Sequence, residues 1–161
     1  MKTRTVGILL FPGFEPLDAF GPVEAFVIAR FPGQESDEPP YPFGVLTVAE
    51  TALAVPMTGG LRVVPDVTLT ECPPLDVLLV PGGAGARREC RNTVLLHFVR
   101  ERAAEVEVLA SVCTGAALLG AAGLLGGCAA TTNRRAFEWV ASLAPGARWD
   151  PDVRWVDTGR M

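Results

Sequence analysis

The sequence predicts a single α/β domain built on a mostly parallel central sheet with helices on both faces. Three observations predict it. Short apolar, β-prone runs alternate with amphipathic stretches along all 161 residues. The strongest run, residues 75–80 (LDVLLV), passes straight into Pro81-Gly82-Gly83, and another ends at Cys113 just before an Ala-rich stretch. No repeat or low-complexity linker interrupts the alternation, so one domain over residues 1–161 accounts for the chain.

Residues 5–11 read as the first strand, wholly apolar after Gly7, as a strand covered on both faces should be. A buried strand is the better reading than a signal peptide here, because the apolar run is short and meets Pro12-Gly13 with no small-residue cleavage site. Residues 17–30 read as a helix, with Leu17, Phe20, Val23, Phe26 and Val27 near helical spacing. A polar, Pro-rich connection over 31–41 leads to a second strand at 43–49. Residues 52–64, with Gly59-Gly60 between short apolar pieces, read as a hairpin excursion. After the 75–80 strand come a helix at 92–104 and a strand at 106–112. A helix at 114–125 is apolar nearly all round and is expected to be buried. A helix at 134–143 and a late strand at 153–156 complete the series. In sheets of this kind ligands bind beyond the carboxyl ends of the strands.

Composition narrows the function. The chain is 49% hydrophobic and 20% charged, with net charge −4 and its Lys and Arg scattered. No basic stripe offers itself to nucleic acid, and no apolar stretch of membrane-spanning length is free of Gly, Pro or charge. A cytoplasmic location is expected. The cysteines are Cys72, Cys90, Cys113 and Cys128, with no CxxC pair, and His97 is the single histidine. Neither a zinc site nor a disulfide framework is expected from that set.

Three strand ends carry the candidate chemistry. Cys113 lies where a buried strand gives way to a helix, between Ser111 and Thr114-Gly115, in a relative of the nucleophile elbow G-x-S-x-G. A sharp turn there lifts the side chain out of the sheet. The helix N-terminus is expected to lower a thiol pKa that starts at roughly 8.5. Gly82 and Gly83 follow the LDVLLV strand, where backbone N–H groups are free to face a site as an oxyanion hole requires. Glu15 and Asp18 follow the first strand and begin a helix. Each feature has a plain structural reading as well: a packed small cysteine, an ordinary βα turn, an N-terminal cap. All three loops belong to one rim, which favours a shared site. His97 sits mid-helix among core-facing residues and is read as partly buried, so proton transfer falls to a carboxylic acid.

Three segments together, LLFPGFEPLDAFGP, ECPPLDVLLVPGGAG and SVCTGAALLGAAGLLGG with ATT following, resemble the ThiJ/PfpI superfamily. Within it the chain looks most like the isonitrile hydratase group. The resemblance implies a flavodoxin-like three-layer sandwich related to class I glutamine amidotransferases. It implies Cys113 as nucleophile, Asp18 as the acid beside it, and Thr114 with Gly83 as backbone N–H donors. The implied reaction is hydration of an isonitrile to an N-substituted formamide, with no metal or organic cofactor. Relatives are commonly homodimers with the cleft near the subunit interface. Two departures stand out: Asn133 follows Thr131-Thr132 where hydratases carry a histidine, and the chain stops at Met161 where relatives continue into a strand turn and closing helix. A shortened chain or a face covered by a partner is the expectation from the second.

Two other functions stay open. One is a ligand-sensing domain like those preceding DNA-binding regions in AraC-type regulators. The other is a different ThiJ/PfpI activity, such as glyoxalase or deglycase chemistry, or redox sensing through an oxidised Cys113. Asp18 and Asn133 argue against the glyoxalase form, and the absence of a histidine after the cysteine argues against glutamine amidotransfer.

Overall fold

Val6, Ile8, Leu9 and Leu10 each expose no more than 1% of their surface, as an uninterrupted apolar run requires of a strand covered on both sides. That run is β1 (Arg4–Leu10), the middle strand of a five-stranded sheet in the computed structural model, which describes residues 2–35 and 38–161. Met1, and Ser36 and Asp37 of the polar connection, lie outside the described residues.

The order continues with α1 (Pro16–Ile28), β2 (Phe43–Ala49), and the short strands β3 (Val55–Pro56), β4 (Arg62–Val63) and β5 (Val67–Thr68). Then come β6 (Val77–Val80), α2 (Ala86–Glu89), α3 (Thr93–Glu105), β7 (Val108–Ser111) and α4 (Gly115–Ala121). The chain finishes through β8 (Ala129–Ala130), α5 (Phe137–Ser142) and β9 (Arg148–Trp149). The main sheet runs β5-β2-β1-β6-β7 with every neighbouring pair parallel. Val6 of β1 stands between Val45 of β2 and Val77 of β6. Right-handed crossovers lead one way from β1 to β2 and the other way from β6 to β7, so α1 and α3 flank opposite faces. The order reverses between β1 and β6, and a crevice opens beyond their carboxyl ends.

Helix α4 begins where Gly115 crosses close to β6: a Cβ on that residue would collide with the Val80 carbonyl oxygen. Residues 115–120 are all buried, as the all-round apolar stretch predicts. Burying a side chain such as Leu78 or Leu118 contributes about 1.5–3 kcal/mol, and both are fully enclosed. Asn92 caps α3, its Oδ1 accepting from the N–H groups of Val94 and Leu95 at 3.1 and 3.2 Å. No helix among the described residues is long and apolar enough to cross a membrane.

Several elements differ from expectation. Leu17 is 76% exposed, and Val27 is exposed too. A spacing of three drifts about 60° per step around a helix, so the run from Leu17 leaves the face that Ala19, Val23 and Phe26 present to the core. His97 is exposed, not half-buried, its side chain 65% accessible and paired with Glu101 at 3.2 Å. The helix starting at 114 stops at Ala121, because Gly123 takes a positive φ of 77° and turns the chain. The 134–143 helix divides into a 3-10 turn over Arg134–Ala136 followed by α5. Residues 153–156 form no strand. Arg148–Trp149 pairs with β8 instead, and Pro151, together with Asp150 Oδ1 accepting from Asp152 N–H at 2.9 Å, turns the chain away. The final residues then run beside β7, where Leu109 N–H donates to the Arg160 carbonyl at 2.9 Å.

Candidate active site

Gly82 is the point where the three rim loops touch. A Cβ on it would lie 2.6 Å from Thr114 N, 2.7 Å from Thr114 Oγ1 and 2.8 Å from Asp18 Oδ2. Only a residue without a side chain lets the loop after β6 pass between the loop after β1 and the start of α4. Its N–H donates to Asp18 Oδ2 at 3.1 Å, and its carbonyl accepts from Glu15 N–H at 2.8 Å. The next residue, Gly83, donates its N–H to Thr114 Oγ1 at 2.9 Å.

Cys113 stands on the third loop with φ of 55°, the one non-glycine residue among those described to adopt a positive φ. Such a conformation costs on the order of 1–3 kcal/mol and persists only where the surroundings hold it. Two contacts hold it here. Thr132 Oγ1 donates to the Cys113 carbonyl at 2.7 Å, and the Gly115 N–H donates to the Val112 carbonyl at 2.8 Å. The elbow anticipated from the sequence is therefore present between β7 and α4.

The half-buried sulfur meets three groups: the Asp18 carboxyl, the Asn133 side chain and the Thr114 backbone N–H. Asn133 Oδ1 accepts from Arg135 N–H at 2.9 Å, which leaves its amide NH₂ as the group that donates to sulfur. The thiol pKa is raised, against the expectation of a lowered one. Burial is the largest cause and the negative charge of Asp18 the second; the Thr114 N–H and the Asn133 amide pull the other way and are outweighed. The Asp18 carboxyl is also held above its ordinary value by burial, opposed by Gly82 N–H and by the Cys113 thiol. The Asp18 carboxyl and the Cys113 thiol therefore act on each other, the contact favouring the ionised carboxylate and the protonated thiol.

The sequence-predicted residues Cys113, Asp18, Thr114, Gly82, Gly83 and Asn133 come together at this rim. Glu15 shares the loop, but its side chain makes no capping hydrogen bond and it enters through its backbone. The two glycine N–H groups expected to be free donors both face protein acceptors, because Asp18 and Thr114 reach over the loop that carries them. Thr132 was not among the expected site residues. Its position after the buried Ala130, beside Asn133, is the signal that points to it. Cys113, Thr132 and Asn133 border a cleft of about 510 Å³ whose walls include Leu109, Ala116 and Leu119. Among the described residues no three His, Cys, Asp or Glu side chains are grouped so as to hold a metal ion.

The chain is 40% identical over 138 residues to the isonitrile hydratase of Pseudomonas putida, an alignment covering 86% of this chain and 56% of that protein. It is 29% identical over 124 residues to the HTH-type transcriptional regulator GbdR of Pseudomonas aeruginosa, covering 77% of this chain and 32% of the regulator. Its fold superposes with a TM-score of 0.82 on a ThiJ/PfpI family protein from Pseudomonas syringae, at 29% identity, covering 99% of this chain and 62% of that one. The chain therefore spans a little over half the length of the isonitrile hydratase it matches. Residues 4–159 match the DJ-1/PfpI family, and the chain belongs to it.

Proposed function

We propose that this domain is a cysteine-dependent hydratase that converts an isonitrile into an N-substituted formamide. The observation that carries the reading is the pairing of the Cys113 sulfur with the Asp18 carboxyl at a strained elbow. The 40% identity to an isonitrile hydratase supplies the substrate class.

Each step follows from the groups present. The Cys113 sulfur attacks the terminal carbon of R–NC as its proton passes to Asp18, and Asp18 delivers that proton to the same carbon. The product is a thioimidate, R–N=CH–S–Cys113, with Asp18 again ionised. Asp18 then takes a proton from water as the oxygen adds to this carbon, and passes that proton to the nitrogen, so that Asp18 is ionised again. Collapse of the adduct breaks the C–S bond, releases R–NH–CHO and returns a proton to sulfur. The Thr114 N–H and the Asn133 amide stabilise the thiolate as it leaves. The substituent R occupies the cleft beside Cys113. No metal or organic cofactor takes part, and the reading carries with it a cytoplasmic homodimer.

The test is formamide production from a simple isonitrile by wild type, Cys113→Ala and Asp18→Asn. Loss in both variants supports the mechanism; equal activity in all three ends it. A second reading, a ligand-sensing domain, is favoured by the similarity to the regulator GbdR. It would be supported by an isonitrile or other ligand that binds wild type and Cys113→Ala equally and is never turned over.

A further inference from the structure

A second cavity, of about 270 Å³, lies beyond the carboxyl ends of β1 and β2, beneath the β3–β4 hairpin and apart from Cys113. Its interior is apolar: Leu10, Ala49, Val55 and Leu95 line it and are themselves buried. Three charged residues also border it, Glu50, Arg62 and Glu89. Glu89 is 4% exposed and fully engaged within the protein. Arg88 sits 2.7 Å from its Oε1, and Asn92 Nδ2 donates to its Oε2 at 2.9 Å. Its charge is neutralised and its task is to hold the cap of α3.

Glu50 and Arg62 are different. Both are exposed. Among the described residues, Glu50 Oε2 accepts from the neutral amide of Asn92, at 2.7 Å, and Arg62 Nη2 donates to the Ala54 carbonyl, at 3.0 Å. Neither has an ion-pair partner among the described residues, and they do not pair with each other. An apolar pocket bordered by one carboxylate and one guanidinium, neither ion-paired among the described residues, has the polarity of a zwitterion with an apolar tail.

We infer that this cavity binds a small apolar α-amino acid, with its ammonium on Glu50, its carboxylate on Arg62 and its side chain among Leu10, Ala49, Val55 and Leu95. The inference uses no part of the Cys113 chemistry and stands or falls separately from it. Removing either charge from the ligand leaves one mouth residue unmatched, which is what sets the amino acid apart from an amine or an acid of the same shape.

Titration calorimetry of the full chain with L-leucine, isoamylamine and 4-methylpentanoate tests it. Leucine is expected to bind, with the amine and the acid each at least tenfold weaker. Glu50→Gln and Arg62→Gln are surface changes that leave the fold intact, and each should weaken leucine at least tenfold. Cys113→Ala should bind leucine as wild type does. The inference is overturned if leucine does not bind, if the amine or the acid equals it, or if both mouth variants bind unchanged. Loss of binding in Cys113→Ala would overturn it too, by placing the ligand in the other cleft.

Discussion

One hydrogen bond, from the backbone N–H of Gly82 to Asp18 Oδ2 at 3.1 Å, ties the loop after β6 to the carboxylate in the first turn of α1. The bond exists because Gly82 has no side chain. Asp18 and Thr114 close in from both sides, to within 2.6–2.8 Å of where a Cβ would stand.

Gly82→Ala is therefore expected to push Asp18 and Thr114 apart. Overpacking of this kind costs about 1–3 kcal/mol, which denaturant unfolding would read. The larger effect should be on turnover, since the proton relay depends on the position of Asp18. A loss of at least tenfold in kcat/KM is expected, and an alanine variant with wild-type activity would show that this loop plays no part in aligning the acid.

Much of this arrangement was legible in the residues, for reasons that are local. The unbroken run from Val6 to Leu10 could only be a strand buried on both faces, and Ser111-Val112-Cys113-Thr114-Gly115 has the small neighbours an elbow needs. What was not legible depends on contacts across the fold. The thiol pKa is governed first by burial and then by the negative charge of Asp18, far away in sequence, and together they outweigh the local turn. Leu17 has the spacing of a core residue, yet it stands on the exposed side of α1, because facing is set by where the helix lands on the sheet. The partner of β8 was likewise decided by Pro151 and the Asp150 turn, which halt β9 at Trp149 and leave 153–156 without a strand to pair with.

Asn133 donates to sulfur and so favours the thiolate. Asn133→Ala should raise the thiol pKa further, because a donor that favours the thiolate is lost. Iodoacetamide alkylation of Cys113 measured across pH reads this directly: the profile should move to higher pH. A profile that stays in place, or moves down, would mean that the amide does not act on sulfur.

Leu17, exposed one residue from Asp18, joins Ile28 as an apolar residue on the open side of α1. In the proposed homodimer this side of α1 is covered by the second copy. Leu17→Glu should then shift sedimentation toward monomer and weaken self-association at least tenfold, because a buried unpaired carboxylate is costly. A wild-type chain that sediments as a monomer at all concentrations would remove the homodimer from the reading.

Asp18 gives the sharpest test, because its removal moves two observables in opposite directions. Its charge and its hydrogen bond both raise the Cys113 pKa. In Asp18→Asn the charge is gone and only a neutral amide oxygen remains as acceptor, so the thiol pKa falls and a larger fraction is thiolate near neutral pH. Alkylation of Cys113 should become severalfold faster there than in wild type. Hydration should go the other way, falling by at least a hundredfold, as loss of a general acid–base group does, since asparagine carries no proton to the isonitrile carbon. The wild-type pH profile follows from the same pair. Its acid limb tracks protonation of Asp18, displaced upward from the ordinary carboxylate range by burial. Its alkaline limb tracks ionisation of Cys113, displaced upward as well. In Asp18→Asn the acid limb should vanish and the alkaline limb move down. If alkylation and turnover instead fall together, Asp18 is holding the loop in place and transferring no proton.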